Sequence, residues 1–236
     1  MNAKNLWVVG LSLNALQQPV DSADIVALFD FDGTLTHCDS LMPFLRFAVG
    51  RTEFWIGLAL LTPDFMSYIL GRLDRAGLKN AVLRRYIGGW PAIRLRDAAE
   101  RFIDVALPSL CNGEALARID WHHEQGHRII LVSASPEIYL TPWAATLPIE
   151  AVLATRLEFQ AETVSGQIDR NNCRGAEKVE RVIDYLGGLE GYKFFAYGDS
   201  AGDREMLAIA THEFYRPFRR PNSGLMSGLR FVKALL

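Results

Sequence analysis

The sequence predicts an α/β protein whose core is a doubly wound parallel sheet and which carries an inserted all-helical cap. Three short apolar runs have the composition of buried strands: 25–29, 127–132 and 192–197. Helical patterns alternate with these runs and with weaker β-like runs, which favours a parallel sheet. Helical patterns alone occupy the stretch between the first two strands. Three parts are therefore predicted, an N-terminal extension, a core in two pieces and a helical cap: 1–24, 25–39 with 113–236, and 40–112.

Further elements are expected along the core and within the cap. Helices are predicted at 114–125, 136–147, 175–186, 204–210 and 225–236. A β-like run is predicted at 151–159, a hairpin return at 164–167 and a short strand at 213–215. Within the cap, residues 54–70 are dense in large apolar side chains, and Pro63 with Asp64 interrupts them. Because a membrane span needs about 20 residues, two short helices are expected here.

Composition excludes some classes of protein. The formal net charge is −2 and the pI is near 6.2, so the chain lacks the basic footprint of a nucleic-acid-binding protein. The three cysteines include no Cys-x-x-Cys pair, which indicates reduced thiols and a cytoplasmic location. Residues 6–16 are mostly apolar, but the run is too short to cross a bilayer and no clear cleavage site of a secreted protein follows it.

Two aspartates, Asp30 and Asp32, come directly after the first strand. Residues two apart on a strand point to the same side, and open α/β sheets bind ligands at the carboxyl ends of their strands. Two neighbouring carboxylates repel each other, so a divalent metal ion between them is expected. Gly33 allows the backbone to approach a ligand closely, and Thr34 supplies a hydroxyl.

Polar side chains also end the other two strong strands. Ser133 follows the second strand, and Asp199 and Asp203 follow the third. In a parallel sheet these ends meet at one edge, and Lys178 can join them from the start of a predicted helix. Two pairs of acids, a hydroxyl and a lysine are the inventory of a phosphoryl-transfer site. Ser135 is an alternative to Ser133, which is preferred because it follows the apolar run directly.

Four motifs, in chain order, resemble those of the haloacid dehalogenase superfamily of phosphohydrolases. They are Asp-Phe-Asp-Gly-Thr at 30–34, the apolar strand ending in Ser133, Lys178, and Gly-Asp-Ser-Ala-Gly-Asp at 198–203. The resemblance spans most of the chain. It implies that Asp30 is a nucleophile that forms an aspartyl phosphate, and that Asp32 is the general acid and base.

The same resemblance implies a Mg²⁺ cofactor and a phosphate-binding site. Asp30, Asp199 and the backbone carbonyl of Asp32 would hold the metal, and Asp203 would bind it or orient its water shell. The groups that would hold the phosphoryl oxygens belong to Gly33, Thr34, Ser133, Ala134 and Lys178.

The nearest branch is the phosphoserine-phosphatase-like one, and residues 132–137 are similar to its phosphatidylglycerophosphatase C-type members. Phosphoserine phosphatases carry Glu at the position of Asp39 and Ser-Gly-Gly-Phe at 133–136. Asp39 stays a candidate substrate contact, because its carboxylate could meet an amine. With the apolar cap, these departures favour a small-molecule or lipid phosphate ester with an apolar portion. The alternatives are phosphoserine or another small metabolite as substrate, and transfer of the phosphoryl group to an alcohol.

Three alternative interpretations concern a zinc site, a receiver-like module and the C-terminal stretch. Residues 123–127 match the His-Glu-x-x-His pattern of zinc proteases, but Gly126 breaks the helix that such a site requires. A receiver-like binding module would lack the second acid, Asp32, and a cap of this length. The basic and apolar stretch 222–236 is predicted to close the core as a helix, with peripheral contact to an anionic membrane as the alternative. The oligomeric state is left open.

Overall fold

The computed structural model describes residues 24–218, so the predictions for the N-terminal extension and for residues 222–236 lie outside it. The strands of this part are β1 (Asp24–Phe29), β2 (Arg128–Pro136), β3 (Ala151–Thr155), β4 (Leu157–Gln160), β5 (Thr163–Ile168), β6 (Tyr192–Gly198) and β7 (His212–Tyr215). Five of them form a parallel sheet in the order β3-β2-β1-β6-β7. The predicted α/β fold with a parallel sheet is confirmed.

Helices connect the strands and fill the segment between β1 and β2. They are α1 (Leu41–Val49), α2 (Arg51–Leu60), α3 (Thr62–Ile69), α4 (Arg75–Ile87), α5 (Ala92–Val105), α6 (Gly113–Glu124), α7 (Glu137–Ala144), α8 (Ala176–Leu186) and α9 (Arg204–Ala208). Short 3₁₀ turns lie at Leu107–Ser109 and Ala201–Asp203.

The register of the three central strands determines where the functional side chains lie. Phe29 of β1 pairs with Leu131 of β2 on one side and with Tyr197 of β6 on the other. The chain therefore leaves all three strands at the same edge of the sheet. The backbone N–H of Asp30 extends the pairing by donating to the carbonyl of Tyr197 at 2.9 Å.

Helices cover both faces of the sheet, and β1 contributes side chains to both. Ala27 and Phe29 belong to one hydrophobic cluster, and Val26 and Leu28 belong to a second. All four side chains are almost completely buried. This alternation follows from the two-residue period of a strand, and it explains why the run is apolar throughout.

The helical segment 41–109 packs onto the core through aromatic side chains. Phe44 of α1, Phe102 of α5 and Tyr139 of α7 contact one another, with ring centroids 5.0 to 5.6 Å apart. Every element in this segment is helical, as the sequence predicts. The division of the chain into a core and a separate cap stays a prediction.

The β character predicted for 151–159 is confirmed, but the stretch is divided between two strands, and the hairpin return predicted at 164–167 lies within β5. The last pair between β2 and β3 joins Pro136 to Thr155, and β2 ends there. Residues beyond Thr155 have no strand beside them in the sheet. β4 instead pairs antiparallel with β5, and this hairpin contacts α4.

The helix α6 ends at Glu124, and Gly126 has a φ of +72°. His123 and His127 of the zinc-protease pattern therefore do not share a helix. The three cysteines form no disulfide: Cys38, Cys111 and Cys173. Between residues 24 and 218, no helix combines the length and the apolar character that a bilayer crossing requires.

Gly166 allows the hairpin to lie against α4, and its replacement by alanine tests this contact. Gly166 has a φ of +80°, and an added Cβ would lie 2.4 Å from the Cα of Arg84. Gly166→Ala is expected to lower the free energy of unfolding by about 2 kcal/mol or more. Gly113→Ala is the control, because nothing lies within 4 Å of its added Cβ. Equal denaturant midpoints for the two variants would contradict the prediction.

Candidate active site

The turn after β1 places the first motif at the edge of the sheet. Gly33 has a φ of +81°, which residues with a side chain rarely adopt, and its N–H donates to Thr36 Oγ1 at 3.2 Å. Thr34 Oγ1 is buried and has no hydrogen-bond partner among residues 24–218. A buried hydroxyl without a partner is unusual in a native structure, which indicates a position for a ligand atom.

Lys178 of α8 joins the ends of the three central strands. Its Nζ donates to Asp30 Oδ1 at 2.6 Å, to Asp203 Oδ1 at 2.7 Å and to the carbonyl of Val132 at 2.7 Å. The lysine side chain is 1% exposed, and both carboxylates are also buried. All three donor positions of the ammonium group are therefore used inside the protein.

The contacts of Lys178 keep it and Asp203 charged. Burial lowers the pKa of Lys178, but Asp30 and Asp203 more than offset this and hold the pKa above its ordinary value. Burial raises the pKa of Asp203, yet Lys178 and Ser200 hold it below its usual range. Ser200 contributes by donating to Asp203 Oδ2 from its backbone N–H at 2.9 Å and from its hydroxyl at 2.8 Å.

Three carboxylates are close enough to share a metal ion. Oxygen atoms of Asp30, Asp199 and Asp203 lie within 4.8 Å of one another. The pKa of Asp30 is raised to about 8, mainly by burial and also by Asp203 and Asp199, while Lys178 opposes the rise. A divalent cation would compensate this local excess of negative charge, and an all-oxygen donor set suits Mg²⁺. The residues therefore fit the implied cofactor.

The side chain of Asp32 lies outside this group of three and is held by the helical segment. Its Oδ1 accepts from the backbone N–H of Ser40 at 2.8 Å, and its Oδ2 accepts from the hydroxyl of Ser135. The hydroxyl of Ser40 is 2.9 Å from the hydroxyl of Tyr139. These contacts fix the orientation of the Asp32 carboxyl group.

The two serines after β2 have different surroundings. Ser133 is buried, and its Oγ accepts from the backbone N–H of Ser135 at 3.0 Å. It follows Val132, whose carbonyl contacts Lys178. Ser133 thus follows directly on a contact of Lys178, whereas the hydroxyl of Ser135 contacts Asp32 itself. Both serines considered in the sequence contribute to the site.

Asp39, the predicted substrate contact, lies at the start of α1. Its Oδ1 accepts from the backbone N–H groups of Leu41 at 3.0 Å and Met42 at 3.3 Å. These bonds satisfy donors that a helix start leaves open. The role of Asp39 toward a substrate stays a prediction.

Sequence reasoning missed two cationic side chains beside the site, Lys79 and Arg174. Lys79 is 3% exposed, and its Nζ donates to the carbonyl of Ala134 at 2.6 Å and to Asn172 Oδ1 at 2.7 Å. The guanidinium group of Arg174 lies against Gly202, in the loop that carries Asp199 and Asp203. Neither belongs to a local motif, and only the packing of α4 and of the loop before α8 brings them here.

Comparison with known proteins identifies the family. A model of the haloacid dehalogenase-like hydrolases matches residues 27–208. The chain is 35% identical over 221 residues to protein CicA of Caulobacter vibrioides, a match that covers 92% of this chain and 98% of that protein. It is 26% identical over 196 residues to the probable phosphatase Rv3661 of Mycobacterium tuberculosis, covering 80% and 68% of the two chains. The chain belongs to the haloacid dehalogenase-like hydrolase family, as the four motifs predict.

Solved structures share the fold. A protein of unknown function from Bordetella pertussis aligns with a TM-score of 0.72 at 22% identity, over 89% of this chain and 96% of that one. A phospho-aspartyl intermediate analogue of phosphoserine phosphatase aligns with a TM-score of 0.55 at 19% identity, over 81% and 86% of the chains. The fold is thus that of the phosphoserine-phosphatase-like branch.

Proposed function

We propose that the protein is a Mg²⁺-dependent phosphomonoesterase that acts through an aspartyl phosphate. The observation that carries the proposal is the convergence of Asp30, Asp203 and Lys178 at one sheet edge, with contacts of 2.6 and 2.7 Å. A buried lysine and a group of carboxylates are suited to binding and transferring a phosphoryl group. The unpartnered hydroxyl of Thr34, four residues after Asp30, supplies a further donor for a phosphoryl oxygen.

Asp30 is the nucleophile in this proposal, and Asp32 is the acid. One carboxylate oxygen of Asp30 attacks phosphorus, the bond from phosphorus to the ester oxygen breaks, and Asp32 donates a proton to the leaving alkoxide. The contacts of Asp32 with Ser40 and Ser135 support this role, because they fix the orientation of the Asp32 carboxyl group in the turn that follows Asp30.

The second step hydrolyses the aspartyl phosphate. Asp32 accepts a proton from water, the water oxygen attacks phosphorus, and the bond from phosphorus to Asp30 breaks to release inorganic phosphate. Asp30, Asp199 and the backbone carbonyl of Asp32 would hold Mg²⁺, with Asp203 binding or orienting its waters. The cation would supply positive charge against the phosphoryl oxygens. The positive charge of Lys178 would stabilise the same oxygens electrostatically, and the amides near Ser133 and Ala134 would donate hydrogen bonds to them.

Asp30→Asn tests the covalent mechanism. The amide is a far weaker nucleophile than the carboxylate, so phosphate release from an aryl phosphate is expected to fall by about a thousandfold or more. Asp97→Asn is the matched control, because Asp97 is exposed on α5 and should leave turnover unchanged. Thermal unfolding of both variants shows whether they fold. Turnover by folded Asp30→Asn within tenfold of the parent enzyme would contradict the mechanism.

We further propose that the substrate has an apolar portion. Large apolar side chains on and just after α2 and α3 are exposed, and we call them the apolar face: Trp55, Ile56, Leu60, Met66, Ile69 and Leu70. Their exposure ranges from 46% to 59%, so about half of this apolar surface is open to solvent. Tyr68 of α3 is among the groups that influence the pKa of Arg174, which supports a position of this helix on the side of the proposed site.

The surroundings of the apolar face also favour contact with a lipid surface. Arg51 and Arg72, at the two ends of this helix pair, are exposed. Apolar side chains with flanking arginines suit the boundary between acyl chains and anionic headgroups. We therefore propose a cytoplasmic enzyme that makes peripheral contact with membrane when it acts on a lipid-like ester.

A series of alkyl phosphates of increasing chain length tests the apolar portion. The value of kcat/KM is expected to rise with chain length, by up to about 0.8 kcal/mol of transition-state stabilisation for each buried CH₂ group. Leu60→Ser should flatten this rise, whereas Val105→Ser, on the exposed side of α5, should not. All esters are compared below their aggregation concentration. A preference for phosphoserine of more than about tenfold over the longest ester would contradict the proposal.

A further inference from the structure

Lys79 is a buried ammonium group that contacts no carboxylate. Its two acceptors, the carbonyl of Ala134 and Oδ1 of Asn172, are both neutral. Between residues 24 and 218, the ion pairs within 4.0 Å do not include Lys79. A buried cation that is only hydrogen-bonded to neutral groups is costly, and such a charge is stabilised when an anion binds beside it.

Arg174 places a second positive charge next to the same region. A Cβ added to Gly202 would lie 2.5 Å from Arg174 Nη1 and 2.7 Å from its Cζ. The backbones are also joined, because the N–H of Gly175 donates to the carbonyl of Gly202 at 2.9 Å. No ion pair of Arg174 occurs within the described residues. A side chain at position 202 would collide with the guanidinium group, so glycine is needed there.

Electrostatic effects show that both cations border the catalytic acids. The pKa of Lys79 is lowered to about 8, mainly by burial and also by Arg174, while Asp39 and Asp32 oppose the decrease. Burial likewise lowers the pKa of Arg174, Arg75 lowers it further, and Asp203 and Asp30 oppose them. Lys79 donates to the carbonyl of Ala134, and the next residue, Ser135, donates to Asp32, so Lys79 lies on the side of the proposed acid, where the leaving group of an ester must lie.

We propose that Lys79 and Arg174 form a leaving-group anion site, which binds a second anionic group on the alcohol portion of the phosphate ester. This inference rests on the proposed phosphatase function and adds that the substrate carries a second anionic group. The scissile phosphoryl group already has Lys178, so two more cations exceed what it needs. The fork of an arginine and the point charge of a lysine suit an oxyanion, either a carboxylate or a phosphodiester.

Three related esters separate the possible anions. Glycerol 3-phosphate has a neutral leaving group, 3-phosphoglycerate adds a carboxylate, and glycerol 3-phosphate with a methyl phosphodiester on its other terminal oxygen adds a diester. For the parent enzyme, kcat/KM is expected to be about tenfold or more higher for at least one of the two charged esters. The charged ester with the higher kcat/KM identifies the anion that the site binds. The preference should decline as salt is added, because part of it is electrostatic.

Arg174→Gln should lower kcat/KM for the preferred charged ester by about tenfold or more and for glycerol 3-phosphate by clearly less, so that most of the preference is lost. Arg46→Gln is the matched control, because Arg46 is exposed on α1. Lys79→Gln should act in the same direction, but Lys79 is buried, so its stability must be measured alongside. Arg174 is only half-buried, so its replacement should affect folding less, and Arg174→Gln is the clearer test.

The outcomes distinguish this inference from the function on which it rests. If the parent enzyme releases no phosphate from any ester, including a generic aryl phosphate, the phosphatase proposal itself is wrong. If it hydrolyses all three glycerol esters equally well, the anion site is wrong and the phosphatase proposal stands. The anion site is also wrong if Arg174→Gln slows the neutral and charged esters by the same factor.

Discussion

The rest of the site depends on one interaction, the contact of the buried Lys178 with Asp30 and Asp203. An unpaired ammonium group or carboxylate is strongly destabilising in a protein interior. Here the opposite charges compensate each other. Because Lys178 also donates to the carbonyl of Val132, β1, β2, α8 and the loop after β6 must all be docked before these charges are compensated. Assembly of the catalytic groups is thus part of folding.

The positions of these groups could be predicted from the sequence because each lies at the end of a strongly patterned element. Asp30 follows a strand that is apolar on both faces, and Asp199 follows another, so both positions were predicted without the structure. The pairing of Phe29 with Leu131 and Tyr197 then brings the strand ends to one edge, as a parallel sheet requires. The family motifs carry the chemistry because the sheet determines their geometry.

The groups that surround the leaving group could not be predicted in this way. Ser40, Lys79 and Arg174 reach the site through the packing of α1, α4 and an irregular loop, and nothing in their local sequence shows it. The hairpin return at 164–167 was predicted, but the division of 151–159 into β3 and β4 was not, because the end of β2 determines where β3 ends. The residues proposed for phosphoryl chemistry therefore belong to local motifs, whereas those proposed for substrate selection are brought together only by tertiary contacts.

A double-mutant cycle on Lys178 and Asp203, measured by denaturant unfolding, tests the central claim most directly. Lys178→Met alone is expected to lower the free energy of unfolding by about 3–5 kcal/mol, because it leaves buried carboxylates uncompensated. Lys178→Met with Asp203→Asn should cost clearly less than the sum of the two single changes. The partly exposed pair Arg128–Glu150 is the control, with an expected coupling of about 1 kcal/mol or less. Additive effects at Lys178 and Asp203 would contradict the claim that their contact holds the site together.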